Sequence, residues 1–236
     1  MTGASRPGEV WLRDDRPRRR RLTREQIVAA AVALLDADGV AGLSMRRLAA
    51  RLRVAPMSIY EHVAGKEDIL DLALDAAFAE IDPGVSSDGD WRATIAHQLT
   101  EGRRVMHRHP WMITLVGSRP LLGPATLERS ERFYAALHRA GLAGPALVAA
   151  VNALFGFLHG FVASELTWRL SVGRHGDSEL RRRASELLAR HADRLPTLAR
   201  HARLDDADAD AGFQRCVDMI LDGIQAQLDD EPTGRG

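Results

Sequence analysis

The residues whose types suggest chemistry fall into three groups. The first is the run Pro56-Met57-Ser58-Ile59-Tyr60-Glu61-His62. A carboxylate such as Glu61 accepts hydrogen bonds from amino groups, and the backbone N–H groups at the start of a helix opening on Pro56 suit an anion. The second is the arginine run 18–21, which includes Arg20 and Arg21. The third is a scatter of histidines with no catalytic arrangement. His107 and His109 are too close for a helical i, i+4 pair, and spacing supplies no third ligand. Cys216 is the only cysteine, which excludes an intrachain disulfide and a cysteine zinc site; it is read as an inert thiol on an apolar helix face. There is no G-x-S-x-G, P-loop or dinucleotide fingerprint. An enzyme is therefore not expected, and neither is a cofactor or a metal.

The elements that must position these groups are all helical. Thr23 and Gln26 form a capping-box pair ahead of the apolar stripe Ile27, Ala31, Leu34 and Leu35, and Asp38-Gly39 ends that helix. Ser44 caps a second short helix with Leu48, Ala49 and Leu52 inward. A break at Arg53-Val54-Ala55 leads to a third helix from Pro56 to about His62, and a fourth follows Lys66. A tight break between two short helices is the helix-turn-helix pattern. The loop 82–90 separates this unit from further helices expected at Trp91–Arg108, Trp111–Ser118, Pro124–Ala140, Pro145–Val172, Ser178–His191 and Ala211–Leu228. The expected fold is all-α: a basic arm (1–21), a helix-turn-helix domain (22–81), a larger helical domain (91–228) and a tail (229–236).

Charge supports that division. The 236 residues carry 32 basic and 32 acidic side chains, a balance that argues against a nucleic-acid binder until it is resolved along the chain. Residues 1–66 carry a net +6, residues 67–80 a net −5 and the remainder −1. A basic module on a neutral body is the usual footprint of DNA binding. No apolar leader opens the sequence, which suggests a cytoplasmic location. The uncharged stretch 140–164 is interrupted by Pro145, Asn152, His159 and glycines, and is expected to form a buried helix pair rather than a membrane span.

Residues 22–81, above all Leu43-Ser44-Met45-Arg46-Arg47-Leu48-Ala49, Val54 to Val63 and Lys66-Glu67-Asp68-Ile69-Leu70, closely resemble the DNA-binding domain of the TetR repressor family. More loosely, Gly117-Ser118-Arg119-Pro120, Phe133, Leu137 and Gly141-Leu142 resemble the C-terminal domain of the tetracycline repressors and their actinobacterial relatives. In a major groove the third helix would offer Met57, Ser58, Glu61 and His62 to base edges, with Glu61 suited to a cytosine amino group. The resemblance implies that Ser44 and Arg46 act from the second helix, that Pro56 opens the recognition helix, that Tyr60 and His62 touch backbone or base, and that Lys66 holds a phosphate. It also implies that the arginine arm follows DNA. Family members usually have glycine where this chain has Arg53, at a position that favours a left-handed backbone.

For the second domain the resemblance implies a pocket for a small-molecule effector, with His97, Gln98, Met106, His107, Trp111, Phe133, Asn152, Phe155 and His159 as candidate lining. Matched to the tetracycline repressors, the magnesium-binding histidine falls on Leu115 and two drug contacts fall on Gln98 and Gly102, so a different effector is expected. Gly156 and Gly160 form a G-x-x-x-G spacing suited to a tight helix crossing. The family pairs this helix and the last one with their copies, which puts Gly156, Gly160, Phe213, Val217, Ile220 and Ile224 at a homodimer interface. The expected function is a ligand-responsive dimeric repressor that binds a palindrome in double-stranded DNA and is released by a small molecule. The alternatives are a sequence-indifferent chromosome-organising protein and, with less support, an enzyme.

Overall fold

The computed structural model describes residues 22–84, 90–202 and 209–230, and of residues 168–178 and 230 only the backbone. Arg20 and Arg21 lie outside the described residues. Every regular element among those described is helical.

The first four helices are set by local signals. Helix α1 (Arg24–Gly42) starts at the Thr23 capping box: Gln26 N–H donates to Thr23 Oγ1 at 3.3 Å, and Thr23 N–H to Gln26 Oε1 at 3.1 Å. It breaks at Gly39, whose φ of +65° is cheap only for glycine. Helix α2 (Met45–Leu52) is capped by Ser44 Oγ, which accepts from Arg47 N–H at 3.3 Å. Its last turn closes on Arg53 at φ 57°, ψ 42°, so the left-handed site expected there exists and is filled by a residue with a Cβ. Helix α3 (Pro56–Tyr60) follows directly, then α4 (Lys66–Phe78). Ile27, Leu35, Leu43, Leu48, Ile59 and Ile69 are fully buried where these helices meet.

Beyond them lie α5 (Trp91–Arg108), α6 (Met112–Val116), α7 (Pro124–Arg139), α8 (Gly144–Arg190), α9 (Pro196–His201) and α10 (Ala209–Asp230). Helices α5, α7 and α8 pack on one another, α10 lies on α5 and α8, and α4 reaches across to α5, α6 and α7. Leu99, Phe133, Leu137 and Leu154 form the centre of this second core, each with no exposed surface.

Two expectations change. The helices expected at Pro145–Val172 and Ser178–His191 are one continuous α8. Gly173 and Gly176 cost about 1 kcal/mol each in a helix interior, too little to end it without a proline. Helix α9 was not expected; Pro196 at its first turn supports it. The apolar stretch is also not a buried helix pair. Gly144–Thr167 is one helix, long and apolar enough to cross a membrane, of which only 28% is buried in this chain. Its inner face, Val151, Leu154, Leu158 and Val162, packs on the core, and its outer face is open.

Candidate nucleic-acid interface and its links to the C-terminal helices

Helix α3 presents an exposed edge. Ile59 is buried and anchors the helix, while Met57 is 71% and Tyr60 45% exposed, with Pro56 and Glu61 exposed beside them. Large apolar side chains held this far out by a buried neighbour are placed for contact with something outside the chain. Ser44 and Arg46 are exposed on α2, whereas Ser58 and His62 are half-buried. The His62 carbonyl accepts from Arg24 Nη2 at 3.2 Å, tying the end of this segment to α1. Lys66 Nζ donates to the Val40 carbonyl at 3.1 Å, which holds its ammonium at the end of α1.

Polar links join this head to the C-terminal helices, and sequence reading missed all of them. Asp36 on α1 receives two donors on one oxygen: Trp111 Nε1–H at 2.6 Å and His109 Nδ1 at 2.7 Å. Both donor residues are buried, at 4% and 3% exposure. His109 Nε2 lies 3.2 Å from Glu80 Oε2, and Arg108 donates to the same carboxylate at 2.9 Å. Burial pushes the Glu80 carboxyl up, but the bonds from His109 and Arg108 outweigh it and hold the group below the usual carboxylate range.

Arg119 bridges Glu67 and Asp71 of α4. Asp75 of α4 caps a helix other than its own: its oxygens accept from the Thr126 N–H at 2.9 Å, the Thr126 hydroxyl at 3.0 Å and the Ala125 N–H at 3.3 Å. The acidic −5 segment thus serves as the socket for the second half of the molecule.

Of the nine residues expected to line one pocket, His97, Gln98, Met106 and His107 lie on α5, Trp111 at the start of α6, Phe133 on α7, and Asn152, Phe155 and His159 on α8. Phe133 and Phe155 do meet, with ring centroids 4.8 Å apart. Gln98 is buried and donates to the Asp82 and Pro83 carbonyls at 3.2 and 3.0 Å; His97 Nε2 also reaches the Asp82 carbonyl at 3.2 Å. His159 Nε2 is 3.0 Å from the Ile113 carbonyl. Met106 is packed in the core and Trp111 is committed to Asp36. Asn152 lies on the exposed outer face of α8 beside Gly156, because 152 and 156 are one turn apart on the side away from the core.

His107 belongs to an ion network instead. Its Nε2 is 2.8 Å from Glu165 Oε2, and Arg103 makes a two-pronged bridge to Glu165 at 2.6 and 3.0 Å while reaching Asp210 at 2.7 Å. Burial opposes ionisation of Glu165, but the bonds from His107 and Arg103 win and hold it down at about 2. The Arg103 guanidinium also stacks 4.9 Å from the Phe213 ring.

Phe213 is therefore internal. It packs on Phe157 and Phe161, and with Val217 and Ile224 it is at most 5% exposed, so these three hold α10 to its own chain instead of facing a partner. The outward stripe of α10 is Gly212, Cys216, Met219, Gly223 and Ala226, with Ile220 at its edge and Met219 73% exposed. Cys216 is half-buried on that stripe rather than in the core. On α8, a Cβ added at Gly156 or Gly160 would meet nothing within 4 Å, so both glycines face away from their own chain.

Residues 27–73 match the family described as bacterial regulatory proteins, tetR family, and residues 83–228 match the tetracyclin repressor-like C-terminal domain. The chain belongs to the TetR family. A transcriptional regulator of the helix-turn-helix type from Saccharopolyspora erythraea is 43% identical over 95% of this chain and 94% of its own. The helix-turn-helix transcriptional repressor DrrR1 of Streptomyces coeruleorubidus is 34% identical over 86% of this chain and 77% of its own. Among solved structures, the Streptomyces coelicolor TetR-family protein ActR in complex with actinorhodin superposes with a TM-score of 0.76 at 25% identity, covering 88% of this chain and 98% of that one. As a TetR-family protein the chain is a transcriptional regulator, not an enzyme, and the expected helix-turn-helix fold followed by a helical C-terminal domain is the one found.

Proposed function

We propose that this TetR-family protein is a cytoplasmic homodimeric repressor that reads a palindromic operator through α3 and leaves it when a small molecule occupies the C-terminal helices. The observation that carries the reading is the α3 edge, where Met57, Tyr60 and Glu61 are exposed on a helix fixed by buried Ile59. Apolar contact with thymine methyl groups and a carboxylate acceptor for a cytosine amino group are what such an edge offers in a major groove. Ser44 and Arg46, with the Lys66 ammonium and the N–H groups that follow Pro56, are assigned to phosphates.

One α3 reads too few base pairs for useful discrimination, so two must act together, related by a two-fold axis. The open uncharged face of α8, with Gly156 and Gly160, and the outward stripe of α10 are the surfaces assigned to that pairing. Covering them also accounts for a helix as apolar as Gly144–Thr167 being largely unburied in one chain. Effector release follows if ligand binding among α5, α7 and α8 shifts the head through Asp36, Arg119 and Asp75; its extent is set by the ligand's affinity difference between the two states. The ligand complex of ActR supports an effector site in this fold.

A mobility-shift assay with the DNA upstream of its own gene tests the reading. The expected result is a retarded complex that competes with specific but not random DNA. A steep salt dependence with no preference among sequences favours the chromosome-organising alternative.

A further inference from the structure

The side chain hardest to account for by folding alone is Arg129. It lies on the inner face of α7 with Thr126, Phe133, Ala136 and Leu137, and is 5% exposed. Its Nη2 donates to the Gln98 carbonyl at 3.2 Å, whereas Nε and Nη1 are buried without any partner. No salt bridge to a carboxylate is found for it among the described residues. Burial draws the guanidinium down to about 10, which still leaves it charged at neutral pH.

A buried cation without a counter-ion is costly, and room has been made for it. A Cβ at Gly102 of α5 would stand 2.7 Å from Arg129 Nη2, and the guanidinium lies 5.3 Å from the Phe133 ring, itself packed on Phe155. A cavity of about 190 Å³ reaches Arg129 from the α4–α5 loop, with Phe78, Ile81, Pro83 and Gln98 among its walls. Glu128 and Arg132, also on its lining, are exposed at the rim.

We infer that these helices bind an organic anion, a carboxylate carried on a compact ring system, with Arg129 as its counter-ion. The two unpaired nitrogens, Nε and Nη1, supply the donors a carboxylate takes, Phe78 and Ile81 in the cavity wall supply an apolar side, and the cavity volume limits the ligand to one or two fused rings. The inference rests on the proposal that the C-terminal helices hold the effector, and it names that effector's chemical class.

The test compares benzoate and 1-naphthoate with their uncharged amides, using full-length protein and reading both melting temperature and calorimetric affinity. The acids are expected to bind and raise the melting temperature of the wild type, and the amides to bind about tenfold or more weakly. Arg129→Met is expected to lose the preference for acid over amide, and Arg129→Lys to keep part of it. If Arg129→Met does not fold, the acid and amide comparison on the wild type decides alone. Equal binding of acid and amide, an undiminished preference in Arg129→Met, or no acid binding at millimolar concentration overturns the inference. DNA release is read separately by mobility shift: Arg129-dependent binding of naphthoate that leaves the DNA complex intact supports the anion site and contradicts its coupling to the head.

Discussion

Asp36 is the point where the first and second halves of the molecule share one acceptor, and Asp36→Ala removes it. Trp111 Nε1–H and His109 Nδ1 both end on Oδ1, at 2.6 and 2.7 Å, and both donors come from residues buried at 4% or less. Each buried donor left unpaired costs about 1–3 kcal/mol. The Asp36 side chain is itself 35% exposed, so water replaces part of what is lost and the low end of the range applies, about 1–1.5 kcal/mol for each donor and about 2–3 kcal/mol in total. For a protein of this size that lowers the melting temperature by about 4–12 °C. Asp36→Asn keeps an oxygen in place without its charge and should cost about half as much. Calorimetry and urea unfolding of the three proteins give the measurement. A change below about 0.5 kcal/mol in Asp36→Ala would refute the reasoning, because it would mean that the Trp111 and His109 donors find partners elsewhere.

Other substitutions test separate parts of the account. Arg53→Gly relieves a left-handed backbone costing about 1–2 kcal/mol and adds about 0.5–1 kcal/mol of unfolded-chain entropy, so urea unfolding should show a net gain of about 0.5–1 kcal/mol. Glu165 is held at about 2 against an unfolded value of 4.5. Its stabilisation is therefore complete above about pH 4.5 and is lost as pH falls toward 2. Glu165→Gln should be less stable than the wild type at neutral pH and show a shallower loss between pH 4.5 and 2; parallel curves would count against the network. Gly160→Leu fills open space in its own chain, so it should leave the fold intact by circular dichroism and shift sedimentation toward monomer. Glu61→Ala should change the preferred base at one position of each half-site by about 1–3 kcal/mol with little effect on binding to random DNA.

The elements of the head were legible because each is punctuated by a residue with one structural use: Thr23 with Gln26, Gly39, Ser44 and Pro56 all act as their types suggest. The second half is less legible because its helices are defined by packing. The two-glycine segment within α8 reads locally as a break, yet nothing there forbids a helix. On α10, periodicity correctly found an apolar stripe but could not say whether it faces the chain's own core or a second copy, and Phe213, Val217 and Ile224 face the core.

Arg129 was visible in principle, since it falls three residues after Thr126 and four before Phe133 on the inner face of α7. A charged residue in an apolar stripe is the signal that would have found it. Asp36, Asp75 and Arg119 act across long separations along the chain, and no local pattern marks such pairs.

The central claim is that two copies of α3 read one palindrome. Footprinting the full-length protein on the DNA upstream of its gene, at two salt concentrations, tests this most directly. The account predicts one protected segment whose half-sites are about one helical turn apart and whose protection persists at the higher salt. Diffuse protection without a two-fold repeat, disappearing together at the higher salt, would contradict it.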